Sequence, residues 1–384
     1  MTMDRRSFIR HSAGSGIAMG VVPWNGLLPT QPGRSPTSAT RAVGTVESAG
    51  RDPRALIMDA MGELRTIYEP ALVKQMLASG MDSITITVCD PKPVGAEALE
   101  LAIDELLAYD RYLAAYPDLF VRATSVADVD EARRSGRMAV FYLYQNTIQF
   151  GEDLDRIDMF YRLGLRSCQL TYNERNFVGV GCRAETASGG FDEGGLTDFG
   201  RETIDRMNSL GMLVDLAHAN ERTMADAIEH SRMPVHNSHT GCNDLYPHIR
   251  NMSDANMRAM AERGGVIGVC QLRPFLTSDK PGTLDDYLRH VDHAVQVVGL
   301  EHVCIGSDRD HRVIEMSEDY IAELRQEEGS QVENSELPYF IPELNGPSRM
   351  TAVWDGLVAR GYSEDEVEKI MGTTLYRLYA EVIG

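Results

Sequence analysis

Two histidines and an aspartate each close a short apolar run: His218 in DLAHA, His239 in NSHTG and Asp308 in IGSDRD. Imidazole nitrogens joined by carboxylate oxygens are a donor set that zinc takes. A carboxylate beside such an ion can ligate it or take a proton from water as general base. Asp310 is the backup for that second role. One histidine at the end of a run reads as structural; two at successive ends favour a shared metal. Glu63, closing LIMDAMGE, could add an oxygen ligand. Met61 beside it is a soft, neutral thioether and a poor partner for zinc, and Asp59 suits the orienting of backbone. Gln145 closes MAVFYLYQN; its neutral amide can hydrogen-bond a substrate but brings no charge to a pair of dications. Arg250, in PHIRNMSD, can grip a carboxylate through two parallel hydrogen bonds. Tyr172, closing SCQLTYN, can donate its hydroxyl to a developing oxyanion. The plainer alternatives are a loop cap for Asp308, a surface ion pair for Arg250 and a lining aromatic for Tyr172.

Residues so far apart in the chain converge only if the fold gathers them. Eight strand-like runs recur, at 56–63, 83–89, 138–146, 167–173, 212–218, 233–239, 265–272 and 303–308. Most begin apolar and β-branched. Helical patterns separate them, over 70–80, 96–114, 125–135, 152–163, 197–210, 221–231, 253–263 and 283–298, with two more at 347–360 and 363–383. Thr197 and Ser253 are placed to cap helix starts, and Gly211 and Gly264 to stop them. This alternation predicts an α/β fold of the (β/α)8 TIM-barrel type. There the C-terminal ends of the strands open on one face and carry the site. The stretch 316–346 is expected to be an excursion over that mouth.

The chain has 384 residues and a formal net charge of −20. So acidic a surface argues against nucleic acid and anionic membranes as partners. Residues 1–50 read as an address rather than fold: Arg5-Arg6-Ser7-Phe8 precedes a weak apolar run and then a Pro/Ser/Thr/Gly-rich linker. That pattern predicts a twin-arginine export signal, the twin-arginine machinery as partner, and a periplasmic or secreted protein. Residues 51–384 are expected to form a single barrel domain. The six cysteines show no zinc-ribbon spacing, and a Cys182–Cys242 disulfide is open to an oxidising compartment.

The blocks 195–219, 238–269 and 287–310, and the closing stretch 357–379, resemble the membrane (renal) dipeptidase family in order and spacing. The resemblance implies a (β/α)8 barrel, often homodimeric, with two zinc ions that cleave dipeptides bearing a free carboxylate. It implies that His218 and His239 hold one zinc, that Asp308 handles the water's proton and that Arg250 holds the substrate carboxylate. The departures are equally specific. Met61 and Glu63 stand where the family has a histidine and an aspartate for the other zinc. Gln145 stands at the bridging glutamate, Tyr172 at a substrate-facing histidine, and Asp310-His311 at a final Asp-Gly. Two close dications need anionic ligands between them. The expectation is therefore one Zn2+ held by His218 and His239, assisted by Asp308 or Glu63. The activity expected is a metallodipeptidase-like hydrolase acting on a small peptide-like substrate. The alternatives are a non-hydrolytic step on a peptide-derived metabolite, or a binder without catalysis.

Overall fold

The computed structural model describes residues 55–328 and 337–384. The export-signal expectation falls on residues outside these. Nine strands form one parallel sheet: β1 (Met58–Gly62), β2 (Ser83–Thr87), β3 (Phe120–Arg122), β4 (Met138–Tyr144), β5 (Leu165–Gln169), β6 (Leu213–Asp215), β7 (His236–Thr240), β8 (Val266–Val269) and β9 (Val303–Ile305). Eight of them run β1-β2-β4-β5-β6-β7-β8-β9, and these are the eight expected runs. β3 lies off this path, paired to the first half of β4. Its three residues are too few to show an alternating pattern, so the sequence reading passed it over.

Helices follow the strands: α1 (Pro70–Ala78), α2 (Gly95–Ala115), α3 (Val126–Ser135), α4 (Asp155–Arg162), α5 (Asp198–Leu210), α6 (Glu221–His230), α7 (Asp254–Ala261) and α8 (Leu284–Val298). After β9 come α9 (Glu318–Glu328), α10 (Arg349–Ala359), α11 (Glu364–Glu368) and α12 (Thr374–Val382). The expected caps are present. Thr197 Oγ1 accepts from Gly200 N at 2.9 Å, and Ser253 Oγ from Asn256 N at 3.3 Å. Gly211 ends α5 in the left-handed conformation that glycine adopts without strain. The fold is thus an almost closed (β/α)8 barrel. Among the described residues no helix is long and apolar enough to cross a membrane.

Two buried aspartates tie the rim. Asp59 Oδ1 accepts from Met61 N at 3.3 Å and Ser307 N at 2.8 Å, and its Oδ2 accepts from Ser307 Oγ at 2.5 Å. Asp308 N to Met61 O (2.8 Å) and Glu63 N to Arg309 O (3.3 Å) continue this seam between the first and last strands. Burial raises the Asp59 carboxyl to about 6, against the pull of Ser307 and Arg349. Asp215 does the same work at β6 and β7: its Oδ1 accepts from Ala217 N and Ser238 N, both at 3.0 Å. Interior packing is tight here. A Cβ on Gly268 would meet Ser238 O at 2.0 Å and one on Gly306 would meet it at 1.7 Å. Only glycine lets three strands close around that carbonyl.

The cysteine expectation is corrected. All six cysteines are free. Cys182 Sγ faces Asn173 Oδ1 at 3.7 Å, and Cys242 Sγ donates to His290 O at 3.3 Å. Each thiol is engaged in a separate buried corner, so no bridge forms.

Candidate metal centre and carboxylate clamp

The ends of β6 and β7 bring His218 and His239 together, with Nε2 facing Nε2 at 3.1 Å. Two nitrogens about 2.05 Å from one tetrahedral zinc lie roughly 3.3 Å apart. The pair therefore already has nearly the bite of one shared ion. Asn173 Oδ1 takes the Nδ1 hydrogen of His218 at 2.8 Å. An amide oxygen only accepts, so His218 Nε2 keeps its lone pair for a ligand. Ser238 Oγ sits 2.8 Å from His239 Nδ1 and fixes the second ring. Burial first, then the Arg250 guanidinium, hold both imidazoles well below their ordinary pKa and hence neutral, the state a metal binds.

Asp308 Oδ2 lies 3.9 Å from His239 Nε2. It would close by about half an ångström to share an ion with the imidazoles. Among the described residues no three His, Cys, Asp or Glu side chains are gathered as a ready metal-binding group. The donor chemistry fits one ion on the imidazole pair and does not fit two. Met61 is buried in the β1 floor, and Glu63 Oε2 is taken by Arg65 Nε at 2.7 Å. Gln145 follows β4 and is buried but neutral.

Backbone strain marks the same place. Among the described non-glycine residues, only His218 (φ 66°) and Asp308 (φ 50°) have positive φ. Such conformations cost about 1–3 kcal/mol and persist where the surroundings dictate them. The His218 carbonyl is pinned by Cys182 N at 2.8 Å.

Arg250, in the loop after β7, is 2% exposed rather than on the surface. Its Nη1 and Nη2 have no hydrogen-bond partner, and its guanidinium lies 5.3 Å over the Phe275 ring. It is a buried cation with two open donor nitrogens. Tyr172 stacks on the His218 ring at 4.3 Å, with Lys92 Nζ 5.9 Å above its own face. Tyr172 is thus next to the imidazole pair.

Two expectations shift. Asp310 is no substitute base: Tyr68 OH donates to it at 2.5 Å and Arg312 Nη2 at 2.6 Å, and Arg65 Nε lies 3.4 Å away. Burial pushes its carboxyl up, but these partners hold it below the usual range. Glu63, weighed as a ligand, is instead half of an ion pair with Arg65 on the rim. The excursion after β9 does approach that rim: Glu323 of α9 accepts from Arg312 at 3.2 Å and from Arg65 at 3.5 Å.

Asn173 and Ser238 were missed as ring-orienting residues. Each adjoins a residue that was singled out, Tyr172 and His239, and that adjacency was the available signal. Arg309, which follows Asp308, was not singled out from the sequence; it is buried.

A sequence profile of the membrane dipeptidase family (peptidase family M19) matches residues 64–320. The chain is similar to dipeptidase tcpJ of Claviceps purpurea, 29% identical over 274 residues, covering 71% of this chain and 57% of that protein. It is also similar to an uncharacterized dipeptidase, C965.12, of Schizosaccharomyces pombe: 36% identical over 182 residues, covering 46% of this chain and 43% of that one. The matches span about half the length of these curated relatives. Among solved structures, an amidohydrolase from Pseudomonas aeruginosa superposes with a TM-score of 0.75 at 25% identity, covering 86% of this chain and 97% of the other.

Proposed function

We propose, from the premise that the chain belongs to the membrane dipeptidase family, that it is an exported hydrolase of dipeptides or related amides with a free carboxylate. The observation that carries this reading is the convergence of two neutral imidazoles 3.1 Å apart with the Asp308 carboxylate and the unpartnered Arg250 guanidinium. A single zinc ion on His218 and His239 would supply Lewis acidity toward the scissile carbonyl. The other roles belong to the chain. Arg250 binds and orients the substrate's terminal carboxylate through two charge-assisted hydrogen bonds. Asp308 takes the proton of the attacking water and returns it to the leaving amine. Tyr172 donates its hydroxyl toward the carbonyl oxygen as charge develops there. Gln145 hydrogen-bonds the substrate from the end of β4.

The engagement of Glu63 by Arg65 and the buried thioether of Met61 favour a second reading, a non-hydrolytic step on a peptide-derived metabolite at the same mouth. The test is amine release from free and C-terminally amidated dipeptides by zinc-loaded protein. Release from the free acids alone supports the hydrolase. No release from either, with binding retained, supports the second reading. The twin arginines support a periplasmic or secreted location; Arg5→Lys with Arg6→Lys should leave the protein in the cytoplasm on fractionation. A homodimer is the assembly we expect by family analogy, checked by sedimentation.

A further inference from the structure

A second buried cation occupies this mouth. Arg309 directly follows Asp308 and is 4% exposed. Its backbone is fixed, because its carbonyl accepts from Glu63 N at 3.3 Å and Arg349 Nη1 at 2.9 Å. On its side chain, Nε and Nη2 have no hydrogen-bond partner. Four arginines are buried among the described residues: Arg250, Arg273, Arg309 and Arg349. Arg273 and Arg349 spend their terminal nitrogens on backbone carbonyls. Arg250 leaves Nη1 and Nη2 open, and Arg309 leaves Nε and Nη2 open. A buried charge without a partner is costly, so two in one mouth call for a ligand that completes them.

The two act on common ground. Burial first, and the Asp308 carboxylate next, push the Cys270 thiol up, while the guanidinium groups of Arg250 and Arg309 oppose this. The chain segments that carry them adjoin: Thr240 Oγ1 donates to Arg250 O at 3.3 Å, Cys270 N donates to Thr240 O at 2.9 Å, and Gln271 N donates to Ser307 O at 3.1 Å, two residues before Arg309. The nearby acids are committed elsewhere, Asp310 to Arg312 and Tyr68, and Glu63 to Arg65. Asp308 brings one negative charge against two positive ones. The open nitrogens of Arg309, Nε and Nη2, form the guanidinium edge that presents two parallel N–H groups, the pattern a carboxylate matches.

We propose that Arg309 is a second anion-binding residue of this mouth, and that the ligand is a diacid. Its terminal carboxylate meets Arg250 and a second carboxylate, on either residue of a dipeptide-like compound, meets Arg309. The proposal rests on the reading of Arg250 as a carboxylate clamp. The test measures binding, not turnover, by calorimetry on the full protein. The probes are Gly-Asp, Asp-Gly, Gly-Glu and Glu-Gly against their amide isosteres Gly-Asn, Asn-Gly, Gly-Gln and Gln-Gly. At least one acid should bind roughly 10- to 100-fold tighter than its isostere. Arg309→Gln should abolish that preference and leave the isostere's affinity within about 2-fold. Arg309→Lys, which keeps the charge but not the fork, should retain only part of it. Arg250→Met should weaken acid and isostere alike. Arg309→Gln should melt no lower than wild type, since it removes an unpaired buried charge. Equal binding of acids and isosteres by wild type, or a preference that survives Arg309→Gln, overturns the proposal. Failure of wild type to bind any of the eight peptides overturns the peptide-ligand reading itself, and this proposal with it.

Discussion

Arg250→Met separates the cost of the clamp from its use. In the free protein two guanidinium nitrogens of Arg250 are buried without partners. Each unmade donor costs about 1–3 kcal/mol. The lower figure applies at a mouth that admits water, giving about 2 kcal/mol for the pair. The Phe275 ring, 5.3 Å below, returns some of this, about 0.5–1 kcal/mol for a cation over an aromatic face. Methionine fills similar space with no donors to satisfy. Arg250→Met should therefore stabilise the ligand-free protein by about 1 kcal/mol, the difference between those two terms. Binding reverses the sign. Two charge-assisted hydrogen bonds at about 1.5 kcal/mol or more each amount to about 3 kcal/mol, or at least a 100-fold loss of dipeptide affinity in the variant. Urea unfolding without ligand gives the first quantity and calorimetric titration with dipeptide the second. A variant that unfolds more readily than wild type, yet binds dipeptide as well, would refute the reasoning.

Further outcomes follow from the same contacts. Gly306→Ala puts a methyl into Ser238 O; it should cost more than about 3 kcal/mol or prevent folding, seen as insoluble expression or a collapsed urea midpoint. His290 is locked neutral, because its Nδ1 accepts from Cys242 N and its Nε2 donates to Leu276 O, both at 3.0 Å. Burial lowers its pKa to about 4 from 6.5. The unfolded chain thus takes the proton first. Stability from this residue is complete above pH 6.5 and lost as pH falls through 4, amounting to about 2 kcal/mol by pH 5. Urea midpoints of wild type and His290→Gln across that range should converge as the pH falls. Met61→His with Glu63→Asp and Gln145→Glu should add a second metal equivalent and raise dipeptide hydrolysis. No gain in either would count against the account of the departures.

The barrel was legible because most of its eight strand runs begin apolar and β-branched and several close on a polar or metal-binding residue. β3 was not, since Phe120–Arg122 is too short to carry a pattern. That His218, His239 and Asp308 lie close together was readable because each closes a strand run, and strand ends share one face of a barrel. What could not be read was which side chains are already spoken for. Asp310 and Glu63 are chemically equal to Asp308 in the sequence, and only the fold gives them Arg312 and Arg65 as partners. Burial was equally hidden. Nothing in IGSDRD or PHIRNMSD distinguishes Arg309 and Arg250 from surface arginines. The orienting roles of Asn173 and Ser238 depend on ring placement that spacing does not specify.

The central claim is that the two imidazoles form a mononuclear site at one rim. Its most direct test is the zinc content of dialysed protein by elemental analysis, with His218→Ala and His239→Ala alongside. The account predicts one equivalent per wild-type chain and none in either variant. Two equivalents in wild type, or one equivalent that survives both substitutions, would contradict it.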